Sequence, residues 1–152
     1  MKLKLVEKFY KNKRVLIIGH TGFKGSWLTA WLKELEANVM GISLDIPTKP
    51  SHYKASNLQK GIKDIRLDIR NKKKIEKKIL SFKPNFIFHL AAQSLVGTSY
   101  NSPKATWQTN VLGTLNILEA LRKVKNSCNV LIITSDKVYL NKEINYGYKE
   151  ND

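Results

Sequence analysis

Residues 14–26, RVLIIGHTGFKGS, decide the fold. Arg14 to Gly19 is a short apolar run rich in β-branched residues. It follows the polar Lys11-Asn12-Lys13, which predicts a strand buried on both faces. Beyond the glycines, Ser26 to Glu36 carries Trp27, Leu28, Trp31, Leu32 and Leu35 at helical spacing. Strand, glycine turn and helix in that order make a dinucleotide site. The first glycine permits a tight turn, the second lets backbone approach a pyrophosphate, and the third allows close helix packing, with the helix N-terminus facing the anion. Gly19, Thr21, Gly22, Phe23, Lys24 and Gly25 are therefore candidate cofactor contacts, and His20 reads as a turn residue in preference to a phosphate ligand.

The same alternation continues outward. Asn38 to Leu44 predicts a second strand, and Pro47-Thr48-Lys49-Pro50-Ser51 a loop, because prolines withdraw backbone donors. Ile62 to Leu67 predicts a third strand, and Asn71 to Phe82 a helix capped by Asn71 and ended before Pro84. Asn85 to Leu90 predicts a fourth strand, followed by a polar connection from Gln93 to Ser102. Pro103 opens a long amphipathic helix to about Lys125, with Trp107, Val111, Leu115, Leu118 and Leu121 along it. Asn129 to Thr134 predicts a fifth strand, and after Ser135 the pattern fades into a polar and aromatic tail. Apolar strands alternating with helices predict an α/β, Rossmann-like, doubly wound parallel sheet with helices on both faces.

Composition bounds the function. The chain has 152 residues, a formal net charge of +15, 42% hydrophobic residues and one cysteine. That length is one domain, and the apolar share, with three tryptophans, is enough for a core. A lone Cys128 makes neither an internal disulfide nor a multi-cysteine metal site, and no metal site is expected. No apolar run approaches the roughly 20 residues that span a bilayer, and lysines interrupt any leader-like stretch near the start, so a soluble cytoplasmic protein is expected. The excess charge is almost all lysine. Its densest run, Lys72-Lys73-Lys74 with Lys77 and Lys78, alternates with Ile75, Ile79 and Leu80, as a solvated helix face does; a nucleic-acid patch would favour arginine.

The GxxGxxG spacing from Gly19 to Gly25 resembles the extended short-chain dehydrogenase/reductase family, and further residues agree along essentially the whole chain. The resemblance implies that Asp68, with Ile69, meets the adenine, and that Leu90, Ala91, Ala92 and Gln93 let the cofactor lie against backbone. It makes Thr109 and Thr134 cofactor neighbours and Asn110 a structural polar residue. At the end of the second strand, where an acid accepts the ribose hydroxyls, stands Ser43, with Asp45 two residues later. No arginine is near to read a ribose phosphate, although Lys49 could, so NAD is expected over NADP.

Ser135-Asp136-Lys137, together with residues 20–28, 47–51, 89–93 and the tail Tyr139-Leu140-Asn141 and Gly147-Tyr148-Lys149-Glu150, resembles the CDP-glucose 4,6-dehydratase branch of that family. The dTDP-glucose branch carries Asp-Glu where this chain has Asp136-Lys137. The resemblance implies CDP-glucose as substrate and an internal redox elimination giving CDP-4-keto-6-deoxyglucose, within deoxysugar and O-antigen or lipopolysaccharide biosynthesis. Ser135 would orient the C4 hydroxyl, Asp136 would assist departure of the C6 hydroxyl, and Lys137 would modulate or share the C5 step. It also implies a homodimer paired through helices including the one from about Pro103. The alternatives are another member of the family, such as a nucleotide-sugar epimerase or a GDP-sugar dehydratase, and a non-catalytic NAD-binding remnant.

The family also uses a Tyr-x-x-x-Lys pair on a helix after the fifth strand, where the lysine helps lower the phenol's pKa. The match at Tyr100 to Lys104 follows the fourth strand and contains Pro103, so it is expected to be a decoy. Residues 1–152 are therefore expected to be the NAD-binding, N-terminal portion of a dehydratase, with most of the sugar pocket elsewhere and little turnover alone.

Overall fold

A computed structural model describes residues 2–152, apart from the side chains of Lys2, Leu3 and Asp136. Strands β1 (Arg14–Ile18), β2 (Asn38–Ser43), β3 (Lys63–Arg66), β4 (Phe86–His89) and β5 (Asn129–Ile132) form one parallel sheet in the order β3-β2-β1-β4-β5. Each expected strand is present, shorter by one to two residues at one or both ends. In register, Val15 stands opposite Val39 and Phe86, and Ile18 opposite Ile42 and His89.

Because side chains alternate along a strand, β1 feeds two cores. Leu16 and Ile18 join Met40, Ile42 and Ile87 under α4 (Lys72–Phe82) and α7 (Thr114–Leu121), which contribute Ile75, Ile79, Phe82, Ile117 and Ala120. Val15, Ile17 and Val39 face the other way, under α2 (Phe23–Glu34), whose Leu32 packs there with Leu35 just beyond it. Helix α1 (Lys2–Tyr10), for which the sequence analysis had no prediction, adds Val6 and Tyr10 to that face; the Tyr10 ring lies 5.1 Å from that of Phe86. Helix α4 starts as expected, the Asn71 Oδ1 accepting from the Lys74 amide at 3.1 Å. Its lysines 72–74, 77 and 78 are exposed while Ile75 and Ile79 are buried.

Three expectations need correction. Helix α2 begins at Phe23, and the face it turns to the sheet is Gly25, Ser26, Thr29 and Leu32, not the aromatic stripe. Trp27 and Trp31 are more than half exposed, since the glycine turn brings the helix too close to the sheet for indoles beneath it. The long helix is interrupted: α6 (Pro103–Trp107) passes into a π-helical turn at Gln108–Gly113, then α7 ends at Leu121. The extra residue shifts the phase, so Gly113, Ile117 and Ala120 are buried while Trp107, Val111, Leu115 and Leu118 are exposed. Finally, the polar connection 93–102 contains the short α5 (Val96–Asn101), and edge strand β5 is exposed at Val130 and Leu131 instead of covered on both faces. A further short helix, α3 (His52–Ala55), follows the proline loop, capped by Ser51.

Candidate functional site

Parallel pairing brings the C-terminal ends of all five strands to one edge of the sheet. Along that edge the strand order sets out a line: Leu67 to Arg70 after β3, Ser43 and Asp45 at β2, the glycine turn at β1, Leu90 to Gln93 at β4, and Thr134 to Lys137 after β5. The chain reverses its direction of winding between β1 and β4, and open α/β sheets bind ligands at such a point.

The turn itself is built by contact. Gly19 has φ +97°, and a Cβ there would stand 2.6 Å from the Ala91 amide nitrogen, so β1 and β4 are in direct backbone contact above the sheet. A Cβ on Gly25 would overlap the Gly19 carbonyl, which lets α2 rest on the turn. At Gly22 a Cβ would meet only the Gly19 oxygen, at 3.5 Å, so this residue borders open space. The first N–H groups of a helix have no intrahelical acceptor. In α2 no side chain caps them, no acidic residue lies in the first turn, and the second residue is Lys24. The helix start is left positive on every count.

Ser43 is placed differently from a ribose acceptor. It is buried, and its hydroxyl lies 2.9 Å from His20 Nδ1 and 3.2 Å from the Thr21 amide that donates to it. The Thr21 hydroxyl donates to the Asp45 carbonyl at 2.5 Å, while the Asp45 carboxylate is exposed two residues beyond β2 and accepts the adjacent Ile46 amide. His20, expected in the turn, is fully buried beneath it. The expected proline loop is drawn onto α2 by His52, whose ring stacks on Trp27 at 4.0 Å and whose Nδ1 lies 2.9 Å from Ser26 Oγ. Asp68 is held by Arg70 through contacts of 2.6 and 2.8 Å, and the hydrogen bonds from that guanidinium keep its carboxyl below the ordinary carboxylate range. Ile69 is a core side chain, and its carbonyl accepts from Asn116 at 3.0 Å.

At β4 the backbone of Gln93 is gripped at both ends by one side chain. Asn110 Oδ1 accepts its N–H at 2.8 Å, and Asn110 Nδ2 donates to its carbonyl at 2.9 Å. Asn110 and Thr109 both lie in the π-helical turn. Thr114 donates to the Asn110 carbonyl and receives the Nε2–H of buried His89 at 2.9 Å. The sequence analysis included His89 in the segment 89–93 but gave neither it nor Thr114 a role; the signal was a histidine closing an otherwise apolar strand. Burial pushes the His89 pKa down to about 4.

Beyond β5, Thr134 and Ser135 are exposed, and Ser135 Oγ accepts the Lys137 amide at 3.1 Å in a 3-10 turn spanning Asp136–Val138. The Asp136 side chain lies outside the described residues. Tyr100 and Lys104 lie on α5 and α6, separated by a break at Ser102, so they share no helical turn. Among the described residues no group of three or more His, Cys, Asp or Glu side chains is placed to hold a metal ion, and no helix is long and apolar enough to cross a membrane.

Comparison with known proteins follows the same outline. The profile of the GDP-mannose 4,6 dehydratase family matches residues 16–151. The CDP-glucose 4,6-dehydratase of Salmonella typhimurium is 47% identical over 96% of this chain and 41% of its own length. The CDP-paratose 2-epimerase of Salmonella typhi is 32% identical over 91% of this chain, again 41% of its length. Among solved structures, the epimerase Mth375 of Methanothermobacter thermautotrophicus superposes with a TM-score of 0.79 at 25% identity, over 96% of this chain and 42% of that one. The UDP-glucose 4-epimerase of Thermus thermophilus, in complex with NAD, does so with 0.65 at 33% identity, over 73% and 34%. The chain thus spans about two fifths of the length of the curated relatives.

Proposed function

The chain belongs to the GDP-mannose 4,6-dehydratase family, and from that premise we propose that residues 1–152 are the NAD-binding portion of a CDP-glucose 4,6-dehydratase. The observation that carries the cofactor half is the uncapped first turn of α2, positive and bordered by open space at Gly22. A pyrophosphate fits there, with backbone N–H groups of Phe23, Lys24 and Gly25 as donors and the Lys24 ammonium as counter-charge. The residues that would hold the cofactor's adenosine end are Asp45, whose carboxylate would take the ribose hydroxyls in place of buried Ser43, and Asp68, which would border the adenine. Those that would hold the nicotinamide end are Leu90 to Gln93, Thr109 and Thr134. When bound, NAD supplies a reversible hydride acceptor.

The substrate half rests on the 47% identity to the Salmonella enzyme and on Ser135-Asp136-Lys137 at the nicotinamide end of the line. Ser135 hydrogen-bonds the C4 hydroxyl and orients it for oxidation. The C4 ketone acidifies C5, and Lys137 shares in moving the C5 proton. Asp136 gives a proton to the departing C6 oxygen. Hydride taken at C4 is returned at C6, so CDP-glucose becomes CDP-4-keto-6-deoxyglucose plus water with no net redox change. We place this reaction in the cytoplasm, in deoxysugar supply for O-antigen or lipopolysaccharide, and in a homodimer paired through the exposed stripe of Trp107, Val111, Leu115 and Leu118.

The test is to give CDP-glucose deuterated at C4, with NAD, to the enzyme that carries this chain. The expected product is lighter by one water and holds the deuterium at C6. Turnover confined to a GDP- or UDP-sugar, or an epimerised product of unchanged mass, would overturn the assignment.

A further inference from the structure

Beneath the glycine turn lies a run of buried polar contacts that neither core uses. His20 is fully buried, and both ring nitrogens have partners: Nε2 is 3.0 Å from Asp64 Oδ1 and Nδ1 is 2.9 Å from Ser43 Oγ. An ionised carboxylate only accepts, so Nε2 carries a proton, and in the neutral ring Nδ1 is then the acceptor. The Ser43 hydroxyl must then donate to Nδ1, and its oxygen accepts the Thr21 N–H. Every donor in the series has one direction. On the far side, Asp64 Oδ2 accepts from the Tyr53 hydroxyl at 2.7 Å and from Arg66 at 2.8 Å.

The surroundings are shaped for this ring. A Cβ on Gly41 of β2 would overlap the imidazole, so that glycine makes room for it. The Tyr53 ring meets it edge-on at 5.2 Å. The titratable groups facing His20 are Asp64 and Arg66 on β3 and Tyr53 on α3; β2 offers only Gly41, Ser43 and the Ile42 carbonyl. Burial holds the imidazole below its ordinary pKa, with Asp64 opposing, so it is neutral near pH 7.

We propose that His20 is a positioning residue for the cofactor loop: as the Nε2–H tautomer it fixes Ser43, which turns the Thr21 amide inward and ties the glycine turn to Asp64 and Tyr53. This rests on the glycine turn being the NAD site. Turning the Thr21 amide inward leaves the outward donors to Phe23, Lys24 and Gly25. Protonation at Nδ1 reverses the bond to Ser43, whose hydroxyl proton then has no acceptor in the series. The loop loosens, and dinucleotide affinity falls with acid while the sheet remains folded.

The protein labelled with 15N is examined by imidazole and amide spectra and titrated with NADH by fluorescence, as wild type, His20→Gln and Ser43→Ala, with Tyr53→Phe added as a variant that removes one oxygen away from the loop. The expected results are an Nε2–H tautomer at neutral pH, a Thr21 amide whose exchange is slow in wild type and at least about tenfold faster in His20→Gln and Ser43→Ala, and NADH affinity lowered about tenfold in both. Wild-type affinity should fall as the pH drops below the ordinary imidazole range, a step that His20→Gln lacks, and Tyr53→Phe should shift its midpoint. An Nδ1–H tautomer, or unchanged Thr21 exchange and NADH affinity in His20→Gln and Ser43→Ala, would overturn the proposal. Slow Thr21 exchange that the variants abolish, in a wild-type protein that binds no NADH, would uphold the relay and overturn the NAD site.

Discussion

Acid should find the end of β4 through His89. This imidazole is 3% exposed, its Nε2–H donates to Thr114, and its Nδ1 has no hydrogen-bond partner among the described residues. Protonating Nδ1 would bury a charge and leave its new donor unmatched, and burial accordingly sets the folded pKa to about 4. In the unfolded chain the group titrates near about 6.5. As pH falls the unfolded state binds the proton first. The contribution to stability is therefore complete above about pH 6.5 and is lost as pH falls through the interval down to about 4. The gap of about 2.5 units corresponds to about 3 kcal/mol in all, of which about 2 kcal/mol is lost by pH 5. Urea unfolding at about pH 7.5 and about pH 5 measures it, with His89→Gln as reference because its amide keeps a donor toward Thr114 and does not titrate. His20, also depressed by burial, is present in both proteins and cancels. Wild type should lose about 2 kcal/mol more than His89→Gln between those conditions; equal losses would refute the reasoning.

Two glycines of the turn should separate stability from binding. Gly25→Ala drives a methyl into the Gly19 carbonyl and should cost about 3 kcal/mol in denaturant melts. Gly22→Ala meets only one oxygen at 3.5 Å, so stability should change by less than about 0.5 kcal/mol while NADH affinity drops at least about tenfold. Asn110→Ala removes both bonds to the Gln93 backbone and should cost about 2 kcal/mol, with faster amide exchange at Gln93 as the local readout. Asp45→Ala should narrow the preference for NAD over NADP, measured by competitive binding, because the exposed carboxylate two residues beyond β2 repels a ribose phosphate.

What was legible in the sequence was local. The β-branched runs and the three-residue glycine spacing specify strand, turn and helix without reference to anything distant, and Asn71 caps α4 with its own side chain. Periodicity, by contrast, defines a helical face and not what covers it. In α2 the aromatic stripe and the small-residue stripe both repeat at helical spacing, and the sheet takes the small one because Gly25 must touch Gly19. In the long helix one extra residue in the turn at Gln108–Gly113 moves the core from Val111 and Leu115 to Gly113 and Ile117. Helix α1 escaped because its lysines dilute the pattern of the side chains that pack, Val6 and Tyr10 against the core and Phe9 against the Phe86 ring. For Ser43 the position at the end of β2 suggested a ribose contact, but the hydroxyl is already taken by His20 and Thr21. The sign of that was Gly41, a glycine inside an apolar strand, which marks the close approach of another group.

The two buried histidines stand at the C-terminal ends of neighbouring strands on either side of the switch point, His20 just beyond β1 and His89 as the last residue of β4, and acid distinguishes them by what each ring already holds. His20 has both nitrogens partnered and a carboxylate within hydrogen-bond distance, so its protonated form keeps Asp64 as counter-charge and disturbs chiefly the Ser43 bond. Among the described residues His89 has a hydroxyl on one nitrogen, no hydrogen-bond partner on the other and no carboxylate among its partners, so its protonated form is uncompensated and disturbs β4 itself. Loss of cofactor affinity on acidification should therefore precede loss of the fold. In His89→Gln the unfolding transition should move to lower pH while the fall in NADH affinity stays in place. If both transitions moved together in that variant, the loop and the sheet would be one cooperative unit and the separate task assigned to His20 would be wrong.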